Sequence, residues 1–166
     1  MNTRLMISLH ELNEDDWELW RALRQAALAD SPDAFGSTIA EWTGVGDVEA
    51  RWRDRLVSVP FNVIAELDGS ASGMASGTTP QDGEVQLISM WVVPVARGRG
   101  IGNELIGTVV RWASQTGATR IALDVRIGND RASSLYRRHG FLDSGWANGP
   151  DAAHPERRMV RNLTSR

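Results

Sequence analysis

The sequence contains no cysteine, which excludes a disulfide framework, a zinc ribbon, a thiol nucleophile and a cysteinyl acyl-enzyme. Lysine is missing as well, since all 18 residues of the Lys+Arg total are arginine. That removes the Walker A phosphate loop, Schiff-base chemistry and pyridoxal-phosphate attachment. Net positive charge is also lacking: 21 acidic residues against 18 basic ones leave −3 and a pI near 5.6, which argues against a nucleic-acid partner. The longest uncharged apolar stretch, Leu87 to Ala96, falls short of the ~20 residues that span a bilayer. Met1 to His10 carries Arg4 and no long apolar run, so no secretory signal is read and a cytoplasmic protein without membrane contact is expected. His10, His139 and His154 form no metal-ligand pattern, and no metal is expected.

What is present reads as one globular domain over residues 1–166, with 42% hydrophobic and 23% charged residues. Residues 3 to 9 suggest a strand. Asn13 then suits an N-cap, with Glu14, Asp15 and Asp16 in the first turn. Trp17, Trp20, Leu23, Ala27 and Leu28 follow at helical spacing up to Ser31-Pro32. A loop with Pro32, Gly36, Gly44 and Gly46 leads to a second charged helix, Asp47 to Val57. From Phe61 the period becomes two. Phe61 to Leu67, the turn Asp68-Gly69 and Ala71 to Thr79 predict a hairpin, and Glu84 to Val93 a further strand. Thereafter come a helix from Ile101 towards Gly117, a strand from Arg120 to Val125, a helix from Asp130 to His139, and strands from Phe141 and Arg158. This order predicts an α/β (α+β) fold: a mixed sheet with helices on both faces.

The segment Val92 to Gly102 (VVPVARGRGIG) joins a buried strand to an amphipathic helix. A helix N-terminus offers unpaired N–H groups, glycine lets the backbone approach a phosphate, and arginine supplies forked donors. Arg97, Gly98, Arg99, Gly100, Ile101 and Gly102 are therefore candidates for an anion cradle. A dinucleotide fingerprint fails, because Asn103 or Leu105 stands where its third glycine belongs. A tight turn with solvated arginines is the plainer alternative.

A second segment, Asn129 to Phe141 (NDRASSLYRRHGF), begins with an N-cap residue and stops at a glycine. Taken with R-x-x-G-x-G at Arg97, Gly100 and Gly102, it closely resembles the GCN5-related N-acetyltransferase (GNAT) family, whose N-x-x-A-x-x-x-Y-x-x-x-G-F pattern falls on Asn129, Ala132, Tyr136, Gly140 and Phe141. The resemblance is strongest over residues 84 to 144 and extends to the segment from Leu23 to Ser37. It implies a mostly antiparallel sheet of about 6–7 strands, splayed between the strand ending at Val93 and the strand from Arg120. Acetyl-CoA would be the acyl donor, with pantetheine along the backbone of Trp91, Val92 and Val93 and in contact with Asn129. The N–H of Val92 would lie nearest the developing oxyanion.

By the same resemblance Tyr136, the single tyrosine, would stand beside the CoA sulfur as general acid, with packing on the cofactor as the alternative. Family members often carry a glutamate at positions that here are Gln86 or Ile88, so Glu84, on the same strand face, is the candidate base. Ser89 or ordered water is the remaining option. The acceptor pocket would include Phe35 and Trp42, with Trp52, Asp33 and Glu41 nearby, a set suited to a cationic amine. The expected activity is direct acetyl transfer to a primary amine of a small molecule that is amino-acid-like, polyamine or antibiotic-like. Acetylation of a protein N-terminus or lysine, or a non-catalytic acyl-CoA sensor, would share the cofactor residues. A monomer or homodimer is expected, with the last residues pairing within the chain or across an interface.

Overall fold

The computed structural model describes residues 5–32, 35 and 37–163. Its centre is a seven-stranded sheet in the order β1-β2-β3-β4-β5-β7-β6. The strands are β1 (Ile7–Glu11), β2 (Phe61–Leu67), β3 (Ser70–Gly77), β4 (Glu84–Val92), β5 (Arg120–Arg126), β6 (Leu142–Trp146) and β7 (Glu156–Asn162). All neighbours are antiparallel except β4 and β5. The expected C-terminal strand does not lie at the rim: β7 inserts between β5 and β6, so its pairing is within the chain.

Two helices cover each face. α3 (Ile101–Gln115) and α4 (Asp130–Arg138) bury Ile101, Leu105, Val109 and Tyr136 on one side, against Val63, Val85, Leu87, Ile121 and Leu123. α1 (Trp17–Asp30) and α2 (Glu49–Ser58) bury Trp20, Leu23, Ala27 and Trp52 on the other, against Ile64, Met74 and Trp91. The alternation of β2 decides this division, since Val63 and Ala65 enter one core while Ile64 enters the other. Asn13 acts as the expected cap, though of a 3-10 turn over Glu14–Asp16 that runs into α1. α2 begins later than its charged sequence suggests, because Asp47 is committed outside the helix: it accepts from Arg21 Nε at 2.7 Å and from Trp52 Nε1 at 2.8 Å.

Two irregularities shape the sheet. In β4, Ser89 adopts φ +56° and the pairing with β3 steps from Met74↔Trp91 to Ser76↔Ile88, which leaves an extra β4 residue as a bulge. Arg55 from α2 pins it, donating to Ser89 Oγ at 3.1 Å, Ser76 Oγ at 3.2 Å and Asn62 Oδ1 at 2.8 Å. The second irregularity lies beyond the bulge: β4 and β5 pair only over Glu84–Gln86 and Arg120–Ala122, after which they diverge.

Glycine brings α3 close to β3. A Cβ on Gly77 would stand 2.6 Å from Trp112 Cζ3, whose ring stacks on Phe61 with centroids 5.1 Å apart. Gly77→Ala is expected to destabilise the protein by about 1–3 kcal/mol through overpacking, read as a lower urea midpoint at unchanged m-value.

Candidate active site

The divergence of β4 and β5 opens a cleft of about 740 Å³ between the two half-sheets. Its β4 wall is made by Met90, Trp91 and Val92, its β5 wall by Asp124, Val125 and Arg126. The loop into α3 and one side of α4, along its whole length, close two further sides, while Phe35 and Ser31 border it from the end of α1.

The β4 wall offers free backbone. Val93 N–H donates to Ser72 O at 2.9 Å, and successive groups along a strand point to opposite edges. Trp91 therefore shares with Val93 the edge that faces β3, and Val92 points its N–H to the edge that β5 has left. Of the three residues expected to present open backbone, Val92 alone does so, and Val93 does not border the cleft. Trp91 borders it with its side chain, held by a 3.1 Å bond from Nε1 to Asp30 Oδ2.

The loop before α3 has the shape of an anion cradle. Gly98 and Gly100 sit at φ +79° and +90°, in the left-handed region that favours glycine. The N–H groups from Gly98 to Asn103 donate to no carbonyl among the described residues, as expected of a helix start. Arg97 borders the cleft but is tethered, with Nε on Val92 O at 3.1 Å and Nη2 on Asp30 Oδ2 at 3.0 Å. Arg99 is exposed and does not line the cleft. The untethered cations that do are Arg131 and Arg138 of α4, which sequence reasoning passed over. Asn129 caps α4 through Ala132 N at 3.4 Å and faces the cleft.

Tyr136 is buried beside the cleft, its ring edge-on to Phe141 at 6.1 Å. Its hydroxyl has no hydrogen-bond partner among the described residues, and burial pushes its pKa up to about 12. The phenol therefore stays protonated throughout the working range.

Glu84 is placed elsewhere. It sits at the closed end of the sheet, where β4 and β5 are still paired, and its carboxylate receives Arg158 and, at 2.9 Å, Arg120 Nε. The Arg158 hydrogen bond above all holds it below the usual carboxylate range. A carboxylate so occupied is a poor proton acceptor and does not border the cleft. Among the described residues the acid that does is Asp124, which burial pushes up, against Arg158 and with help from the charge of Glu84. Its signal was present in the sequence, where Asp124 and Arg126 break an otherwise apolar strand.

Phe35 borders the cleft as expected. Trp42 does not: it packs on Trp52 with centroids 4.6 Å apart, under Arg51, and its carbonyl accepts from Gln25. Trp52 is fully buried and Glu41 is exposed. Asp33 lies outside the described residues.

A profile described as the acetyltransferase (GNAT) family matches residues 8–141. The chain belongs to the GNAT acetyltransferase family. Among relatives of this GNAT acetyltransferase is an uncharacterized N-acetyltransferase of Mycobacterium tuberculosis, 30% identical over 145 residues that cover 86% of this chain and 93% of the relative. An aminoglycoside N(6')-acetyltransferase of Salmonella enteritidis is 27% identical over 146 residues, covering 83% and 93%. The PaiA N-acetyltransferase of Thermoplasma acidophilum, solved in complex with coenzyme A, shares the fold with a TM-score of 0.73 at 16% identity, covering 95% of this chain and 99% of that one. The GNAT chain described here is thus an N-acetyltransferase. No helix among its described residues is long and apolar enough to cross a membrane.

The Glu84 cluster gives a stability test. Glu84→Gln is expected to cost about 1–2 kcal/mol at neutral pH, Arg120 being open enough to water for screening to weaken its share. A depressed carboxyl pKa contributes stability that is present above the unfolded value and lost as the pH falls through the folded one. The difference between parent and variant should therefore shrink in urea titrations carried from neutral into strongly acidic buffer.

Proposed function

We propose that the protein transfers the acetyl group of acetyl-CoA directly to a primary amine of a small molecule. The observation that carries this reading is the convergence of a free Val92 N–H, the glycine-rich start of α3, Tyr136 and Asp124 on one cleft at the splay of the sheet. The residues present suit the donor: N–H groups from Gly98 to Asn103 for the pyrophosphate, and Arg131 and Arg138 for further phosphate charge. Acetyl-CoA supplies the activated acyl group.

The chain's own groups then have distinct tasks. Val92 N–H donates to the thioester oxygen as negative charge develops on it. Asp124 takes a proton from the acceptor's ammonium group and so frees the lone pair that attacks, and its elevated pKa brings it closer to that task than an ordinary aspartate. The neutral amine nitrogen forms the new amide bond while the carbon–sulfur bond breaks, and the second proton of that nitrogen passes to the departing sulfur, which leaves as the thiol. Tyr136 donates a hydrogen bond to the departing thiolate. With a pKa of about 12 against about 8.5 for a thiol, the phenol stabilises the sulfur without surrendering its proton.

The enclosure of the acceptor side favours a small molecule over a polypeptide. Arg126 Nη2 on β5 donates to Phe35 O at 3.1 Å and so bridges from one half-sheet to the segment after α1. An extended chain would have to break that bridge.

Asp124→Asn is expected to lower kcat/KM about 100-fold or more and to remove the acidic limb of its pH profile. Tyr136→Phe should lower kcat about 10- to 100-fold with acetyl-CoA affinity nearly unchanged. Thiol release over an amine panel and calorimetric titration with acetyl-CoA measure both. Full turnover in both variants would overturn the assignments, and acetyl-CoA binding without turnover on any amine would favour a sensor.

A further inference from the structure

The acceptor side of the cleft holds more buried positive charge than its neighbours balance. Arg24, on α1, is 9% exposed, and its Nη1 is buried without a hydrogen-bond partner among the described residues. Its guanidinium lies 4.6 Å from the centroid of the Phe35 ring. Arg126, on the β5 wall, has both Nε and Nη1 buried without hydrogen-bond partners among the described residues, and Glu156 comes only to 4.0 Å of Nε. Arg126 spends its remaining nitrogen on the Phe35 carbonyl. The two arginines thus flank one residue of the cleft wall, one from α1 and one from β5, with three buried donor nitrogens unused among the described residues.

A third cation deepens the imbalance. Arg55, close enough to Arg24 for the charges to act on each other, bonds only the neutral groups of Asn62, Ser76 and Ser89. Burial pushes the pKa of each of these two down to about 10, so both remain charged at neutral pH, and no acid among the described residues offsets either. Buried guanidinium groups without an anion are costly. Forked N–H donors match an oxyanion that can accept two bonds at once.

We infer that the amine acceptor also carries an oxyanion, a carboxylate or a phosphate ester, which Arg126 binds beside Phe35 while the charge of Arg24, behind that ring, adds to the attraction. This rests on the acetyl-transfer reading above and narrows its acceptor to a zwitterionic small molecule. It turns the expected preference around: the pocket selects against polyamines and other acceptors with only positive charge. Arg126, on the cleft wall, sets specificity directly, and Arg24 does so from behind the Phe35 ring.

The test compares matched acceptor pairs: L-amino acids against their carboxamides, and phosphoethanolamine and glucosamine 6-phosphate against ethanolamine and glucosamine. The anionic member of at least one pair should show kcat/KM about 10- to 100-fold higher, the scale of hydrogen bonds to a charged group, and the better series tells carboxylate from phosphate. Arg126→Met should collapse that ratio chiefly through KM, and Arg126→Lys should restore part of it. Calorimetric titration with acetyl-CoA shows that each variant keeps its donor site, and Arg24→Met serves as the second probe. Preference for the uncharged member in every pair overturns the inference while leaving acetyl transfer standing, as does a ratio that survives both methionine variants. Failure of every amine in the panel, with acetyl-CoA still bound, overturns both readings together.

Discussion

The site depends on one separation, that of two strands that start as neighbours. β4 and β5 share three residue pairs at one end of the sheet and then part. A strand that leaves its neighbour exposes backbone groups that must find another partner or bind a ligand. The bulge at Ser89 helps impose this, because an extra residue re-aims the strand and sharpens its twist. Arg55 fixes the bulge from behind by bonding hydroxyls on both strands that meet there. A half-buried cation on α2 thus supports the shape of a wall that it does not border.

Charge is arranged along the same seam. At the closed end, Glu84 joins Arg120 and Arg158 across β4, β5 and β7, so an ion cluster clamps the strands just before they part. At the open end, Asp30 ties Trp91 of β4 and Arg97 of the donor loop to the end of α1. Between them lies Asp124, close enough to feel Arg158 and Glu84 but bonded to neither. Carboxylates of one chain therefore differ in role because of what reaches them: two are saturated by donors, and the third is left facing the cleft.

Much of this was legible in the sequence, and unevenly so. Periodicity marked the strands and helices to within a few residues, and the Arg97 to Gly102 and Asn129 to Phe141 segments pointed to the loop and the helix that border the cleft, because glycine turns and helix caps demand particular residues at fixed spacing. The acceptor half obeys no such local rule. Trp42 and Phe35 looked alike as aromatic residues in one loop, and only packing separates them: Trp42 stacks on Trp52, while Phe35 reaches the cleft. Alternation put Glu84 on the same strand face as Gln86 and Ile88, but the arginines that occupy it come from positions 120 and 158, distant in sequence. Strand order was equally hidden, since nothing local says that the last strand inserts beside β5 rather than at the rim.

The narrow β4–β5 seam also bears on how the chain assembles. β2, β3 and β4 follow one another as a meander joined by short turns, whereas the seam joins Glu84 to Arg120 across a sequence separation of 36. Closing so long a loop for three residue pairs gives little return until α3 has docked. The cleft is therefore expected to form late in folding. A molecule that has lost it can keep nearly all of its helical and strand signal.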